Sequence, residues 1–225
     1  MKKLAVITAV AAICLAVMPR VSASADGGVY GEYEIAEFLS GDIRLGEIRG
    51  VAGVVVGPGC RLTVTGDVEA GESFISRGGE VRIYGSLYAG AVWLDSAEGR
   101  LRAELGSVVS RYYTQSGGSV RVTGSIVTRA DKDYDGLGLV NINCGYALNN
   151  KTRLSVGGGI FARGGDIVTG NTLPMDEAEW ASFTAVRGAE ANGYEDTPTA
   201  RGEPVIATGE GIYPSDGGKL VENGE

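Results

Sequence analysis

Residues 78–90, "GGEVRIYGSLYAG", alternate apolar and polar side chains up to a single central glycine. Val81 and Ile83 flank Arg82, Gly85 follows, and Leu87 stands two residues beyond it. A two-residue period puts Val81 and Ile83 on one side of an extended strand and Arg82 on the other. Taken alone, the stretch reads equally well as a hairpin or as one turn of a repeat.

The neighbouring sequence decides between them. Residues 60–77 "CRLTVTGDVEAGESFISR", 78–96 "GGEVRIYGSLYAGAVWLDS", 97–116 "AEGRLRAELGSVVSRYYTQS" and 117–133 "GGSVRVTGSIVTRADKD" align on Gly66, Gly85, Gly106 and Gly124. The spacings are 19, 21 and 18 residues. Weaker copies are "GLVNINCGYAL", 138–148, with Cys144 in the glycine position, and "RLSVGGGIFARGG", 153–165, anchored on Gly158. An earlier turn begins near residue 41.

Before each glycine stands an alternating apolar pair: Leu62 and Val64, Val81 and Ile83, Val120 and Val122, Val140 and Ile142, Leu154 and Val156. Two residues after it comes another apolar residue: Val68, Leu87, Val108, Ile126, Tyr146 or Ile160. A third stretch supplies Phe74-Ile75, Trp93-Leu94 and Tyr113-Thr114. Each copy is therefore three short β-stretches separated by small or turn-forming residues. None is long enough to bury its apolar side alone, so copies must stack to make a core.

The expected fold is all-β: a single-stranded parallel β-helix of about seven coils of 18–21 residues, followed by a short C-terminal helix. Glycines are placed at its corners, where a positive φ costs them least. An antiparallel sandwich or barrel also accommodates strands about 8–12 residues apart. The solenoid is favoured because the unit of similarity is the whole three-stretch copy. Strong two-residue hairpin turns, moreover, mostly lie outside the repeat.

Four regions follow. Residues 1–25 read as a signal peptide, with basic Lys2 and Lys3, an apolar run over 4–18, and Ala23-Ser24-Ala25 as the cleavage site before Asp26. The apolar run is short for a membrane anchor, which needs about 20 residues. Ile13 stands before Cys14, where a lipoprotein signal needs a small residue. Residues 26–40 are a cap or linker, 41–170 the solenoid, and 171–225 a helix within "TLPMDEAEWASFTAVRGAEA" plus a mostly irregular tail. The protein is expected to be secreted, periplasmic or displayed at the cell surface, with no membrane span left after signal cleavage.

Charge narrows the partners. The chain has a formal net charge of −8; losing Lys2, Lys3 and Arg20 leaves 17 basic against 28 acidic side chains, a net of −11. Nucleic acid and anionic membranes are therefore unfavourable general partners. There is no histidine, so the commonest general base and metal ligand is missing, and no catalytic residues are assigned. The protein is not expected to be an enzyme.

Stacking turns equivalent positions into ladders about 4.8 Å apart. Arg82, Arg102 and Arg121 are expected to form one on the solvent side, flanked by Thr63 and Asn141 and suited to an anionic glycan or surface polymer. The competing expectation is that acids such as Glu80 and Glu104 balance them. Phe74, Trp93 and Tyr113 are expected to form an aromatic ladder packed in the core or at a corner, the alternative being sugar stacking on rings exposed outside. Cys60 and Cys144, on distant coils, are expected to remain separate buried thiols. "DKDYDG", 131–136, resembles the first half of an EF-hand loop, making Asp131, Asp133 and Asp135 candidate calcium ligands. Ile142 occupies the position of the bidentate glutamate, leaving Asn141 or Asn143 to complete the set.

"GGEVRIYGSLYAG" and "GGSVRVTGSIVT" resemble the repeats of bactofilins, whose short β-helices join end to end into filaments. They are also similar to the passenger repeats of AIDA-type autotransporter adhesins. The resemblance covers residues 59–128 well and 41–170 loosely, and implies a structural, self-assembling or adhesive cell-envelope protein with end-to-end self-association. Bactofilins generally lack a cleaved signal, and no translocator barrel is recognisable here. The alternative is a carbohydrate-binding module or a small polysaccharide-active β-helix protein.

Overall fold

The computed structural model describes residues 22–23, 28–30, 34–96, 100–129, 138–143, 152–170 and 204–223. The alternation of apolar and polar residues becomes strand throughout, and no helix occurs among the described residues. The longer strands lie in the first half: β1 (Ser22–Ala23), β2 (Val29–Tyr30), β3 (Ile35–Leu45), β4 (Ile48–Val64), β5 (Val68–Arg77), β6 (Glu80–Asp95) and β7 (Arg102–Ser116). Shorter ones follow: β8 (Ser119–Val122), β9 (Ile126–Arg129), β10 (Leu139–Asn143), β11 (Arg153–Val156) and β12 (Gly159–Arg163). The last are β13 (Ile167–Gly170), β14 (Val205–Thr208), β15 (Gly211–Ser215) and β16 (Leu220–Asn223).

Apart from the antiparallel β1–β2 pair, every pairing is parallel, each strand lying on its counterpart in the next coil. The chain is an all-β parallel solenoid with three faces. On face A, Ile43, Leu62, Val81, Ala103, Val120, Leu154 and Ile206 stand in register. On face B, Ile48, Val68, Leu87, Val108, Ile126, Ile160 and Ile212 do so. On face C the row runs Ala36, Val54, Phe74, Val92, Tyr113, Val140, Ile167 and Leu220. These rows point inward and, except for Ile206, Ile212 and Leu220 in the last coil, are buried. Burying a side chain of this size contributes about 1.5–3 kcal/mol relative to leaving it exposed, and the rows together are the core.

Among the described residues seven coils cross face A. Register steps from Asp42 to Arg61 and on to Glu80 are 19 residues each, then 22 to Arg102 and 17 to Ser119. The next two are far longer, 34 to Arg153 and 52 to Val205. The segment "GLVNINCGYAL" is accordingly not a coil of its own. Its Val140 and Ile142 lie on face C, paired with Tyr113 and Gln115, and complete the coil that starts at Ser119. The solenoid, expected to stop at residue 170, runs on through β14, β15 and β16 to Asn223. The expected C-terminal helix falls outside the described residues.

The corner glycines stack, but not because of positive φ. Gly66, Gly85, Gly106, Gly124 and Gly158 are absent from the positive-φ residues, which instead include Gly41, Gly78, Gly117 and Gly118 ahead of face A strands. The corner between faces A and B is a ladder of close backbone contacts. Gly66 N–H donates to Gly46 C=O (2.6 Å), Gly85 to Gly66 (3.2 Å), Gly124 to Gly106 (2.7 Å) and Gly158 to Gly124 (2.8 Å). A Cβ on Gly85 would lie 2.5 Å from the Gly66 carbonyl, closer than any side chain can sit.

The aromatic ladder also needs correction. Phe74 and Tyr113 are fully buried, but Val92 stands between them; Trp93 lies in the outward row with Ile75 and Thr114 and is 53% exposed. The cause is a one-residue difference in the preceding corner, Gly71-Glu72 in one coil and Gly90 alone in the next. A single residue reverses the side to which every following side chain points.

The two ends differ. At the N-terminal end the inward residues Val29, Ala36, Phe38 and Ile43 are all buried, and β1 lies along β2. At the C-terminal end Ile206 and Ile212 are only partly buried and Leu220 is 43% exposed. Among the described residues nothing pairs with the outer edges of β14, β15 and β16.

Candidate functional site

The outer surface of face A carries most of the charged side chains singled out in the sequence. Each strand there presents two outward residues, giving two parallel rows. The first runs Asp42, Arg61, Glu80, Arg102, Ser119, Arg153. The second runs Arg44, Thr63, Arg82, Glu104, Arg121, Ser155.

The expected ladder of Arg82, Arg102 and Arg121 is therefore not one row. Arg82 and Arg121 share a row with Glu104 between them, while Arg102 belongs to the other row, stacked on Glu80. Coil four has one residue fewer between its last inward side chain, Leu105, and its corner glycine, Gly106, so alignment on that glycine misplaces the strand. Thr63 does lie beside Arg82, but Asn141 is on face C.

The first half of this surface is internally neutralised. Arg44 and Arg61 approach Asp42 at 3.6 and 3.8 Å; Arg61 and Arg82 approach Glu80 at 2.9 and 2.8 Å; Arg82 reaches Glu104 at 3.8 Å. The hydrogen bond and charge of Glu80 hold the Arg61 guanidinium above its ordinary pKa. This is the balancing by Glu80 and Glu104 that competed with the ligand reading.

The second half is different. Arg102, Arg121 and Arg153 are exposed, and among the described residues none of them makes an ion pair. They surround Ser119: Arg102 and Arg153 pair with it from the coils on either side, and Arg121 lies two residues along its own strand. The surface there is a shallow cleft of about 440 Å³ running from Glu80 and Arg82 to Val205 and Ala207. Arg153 escaped the sequence reading because the ladder was drawn through the residue standing inside the inward pair, as Arg82 and Arg121 do, and in this coil that residue is Ser155. The signal was present, since Arg153 precedes inward Leu154 just as Arg61 precedes Leu62 and Arg102 precedes Ala103.

Arg153 is fixed from below by a buried polar network. The Tyr113 hydroxyl donates to Gln115 Oε1 (3.3 Å), and Gln115 Nε2 donates to the carbonyls of Gly117 (3.3 Å) and Arg153 (3.2 Å). Gly117 N–H donates to Thr152 Oγ1 (2.9 Å). Burial pushes the Tyr113 hydroxyl pKa well up, so it stays a donor. Together these bonds seat the start of β11 on the coils before it.

The candidate calcium ligands Asp131, Asp133 and Asp135 lie outside the described residues, as does Cys144; Asn141 and Asn143 are on β10. Among the described residues no cluster of acidic, cysteine or histidine side chains is placed to hold a metal. Cys60 is a buried thiol. No helix among the described residues is long and apolar enough to cross a membrane. Comparison with protein-family models, curated proteins and solved structures finds no match to this chain.

Proposed function

We propose that this chain is a secreted, non-enzymatic β-solenoid that serves as a structural, self-assembling or adhesive protein of the cell envelope. The observation that carries this reading is the unfinished C-terminal end. Ile206, Ile212 and Leu220 face the core row without full cover, beside three strand edges that pair with nothing among the described residues. Such an edge is a template for another strand, and parallel coils stack in only one sense. The other end bears on this too. Cleavage after Ala25 would remove β1 (Ser22–Ala23) and free the outer edge of β2. Maturation would then add the β2 edge to that of β3, which pairs only with β4 among the described residues, and so complete the surface on which the next molecule's last coil docks.

Light scattering on the chain with and without residues 1–25 tests this. The shortened form should assemble in a concentration-dependent way, and Ile206→Asp with Leu220→Asp should keep it monomeric. A shortened wild-type chain that stays monomeric at every concentration overturns the proposal. The carbohydrate-binding alternative is favoured by a separate observation, the unpaired arginines of face A.

A further inference from the structure

We propose that Arg102, Arg121 and Arg153 form a binding site for an extended anionic polysaccharide, one bearing carboxylate or sulfate groups along its chain. The proposal deepens the adhesive part of the reading above and does not depend on end-to-end assembly, because the site is on the side of the solenoid. Its centre is Ser119. Backbones one coil away on either side carry Arg102 and Arg153, so these two are separated by about 9.6 Å, twice the strand spacing. Arg121 is about 6.6 Å along the strand from Ser119. Long guanidinium side chains from three corners reach over one hydroxyl, a forked donor set suited to planar carboxylate or tetrahedral sulfate.

Pairing separates these three from the other arginines on the face. Asp42, Glu80 and Glu104 are engaged by Arg44, Arg61 and Arg82. The remaining three cations have no partner within the described residues. They stand in the open on a chain whose formal net charge is −8, a local positive site on an acidic protein.

The rest of the cleft selects the polymer. Ser119 and Ser155 offer hydroxyls to sugar oxygens, and Val205, 63% exposed, offers an apolar edge to the C–H face of a ring. Glu80 and Glu104 line the same cleft and repel a densely charged chain. Duplex DNA, with one charge per about 1.7 Å, meets both acids wherever it meets the arginines. A polysaccharide with anions spaced along its sugars can place one over Ser119 and pass the acids with a neutral unit.

Retention of the full chain on immobilised hyaluronate and on immobilised κ-carrageenan, which carry one carboxylate or one sulfate on alternate sugars with a neutral sugar between, eluted with rising sodium chloride, tests this. The wild type should be held at low salt by at least one matrix, and the stronger of the two identifies sulfate or carboxylate as the preferred group. Each of Arg102→Ser, Arg121→Ser and Arg153→Ser should weaken binding about tenfold, the equivalent of one charge-assisted hydrogen bond. The triple variant should flow through with an unchanged thermal unfolding curve. Arg44→Ser, whose arginine pairs with Asp42 outside the cleft, should bind like the wild type. Retention by neither matrix, undiminished retention of the triple variant, equal loss in Arg44→Ser, or tighter binding to duplex DNA would each overturn the proposal.

Discussion

The corner between faces A and B and the corner between faces C and A are built on opposite rules. The first never exceeds three residues between paired strands, and its glycine carbonyls and N–H groups stack from coil to coil. The second ranges from the single residue Leu39 to the 34 that separate Gly170 from Val205. The stacked corner cannot admit a side chain, let alone an insertion, because the next backbone already fills the space. The other corner accepts insertions, provided the next strand comes back in register, even though backbone bonds such as Arg102 N–H to Gly79 C=O (3.2 Å) and Arg153 N–H to Gly118 C=O (2.9 Å) cross it too.

The lengths of the corners decide which residues are core, and the largest expected effect tests that. Phe74→Ala removes a fully buried ring and should cost about 3–5 kcal/mol of unfolding free energy. Trp93→Ala, the corresponding residue if the copies are aligned by eye, should change stability by no more than about 0.5 kcal/mol, as for other surface substitutions. Equal losses in chemical denaturation would mean that Trp93 packs inward and that the one-residue difference at Gly90 has been absorbed elsewhere.

Next comes the stacked corner itself. Gly85→Ala sets a Cβ against the Asp67 carboxylate and the Gly66 backbone and should cost about 3 kcal/mol, the upper part of the range for overpacking, because the carboxylate can swing away but the backbone cannot. Gly71→Ala is the matched control at another corner. Its added Cβ meets only the Val51 carbonyl, at an ordinary 3.8 Å, and its φ is not positive. Stability there should rise by about 0.4–1 kcal/mol through a less flexible unfolded chain. If both variants lose stability alike, steric stacking is not what distinguishes the corners.

This contrast also explains what could be read from the sequence. The inward pairs around Gly66, Gly85, Gly124 and Gly158 were legible, because a corner of near-constant length keeps apolar periodicity in phase. Arg102 was misassigned where that corner shortens by one residue, and Trp93 where the corner between faces B and C does the same. The last coil was hidden by an insertion that periodicity cannot bridge, and Arg153 was passed over because it precedes its inward pair instead of standing inside it. Val140 and Ile142 carried the right alternation on the wrong face, since alternation shows which side of a strand is buried and not which strand of the coil it is.

A buried hydroxyl gives a smaller test within face C. Ser76 occupies an inward row with Leu94 and Gln115, and its Oγ is buried without a hydrogen-bond partner. Gln115 in the same row has all its side-chain contacts made. Ser76→Ala should therefore stabilise by about 1 kcal/mol, the lower bound for relieving an unsatisfied buried group. A loss of stability would show that the hydroxyl has a partner.

The smallest effect concerns the flat surface between corners. Glu80 accepts from both Arg61 and Arg82, at 2.9 and 2.8 Å, so Glu80→Gln breaks two close pairs, whereas Arg82→Gln breaks one close pair and the longer 3.8 Å contact to Glu104 and leaves the Arg61 pair standing. Exposed pairs contribute about 0.2–1 kcal/mol each, so both variants should lose little, the first more than the second. The difference should vanish near 1 M salt, where the screening length falls to about 3 Å. Glu80→Gln should also release Arg61 and Arg82 for external anions, lengthening the positive strip toward the N-terminal coils. Retention of this variant on polyanion should therefore increase while its stability declines slightly. If retention is unchanged, the paired arginines are held by more than Glu80, and the line between the neutralised and the open halves of face A is fixed by the backbone rather than by charge.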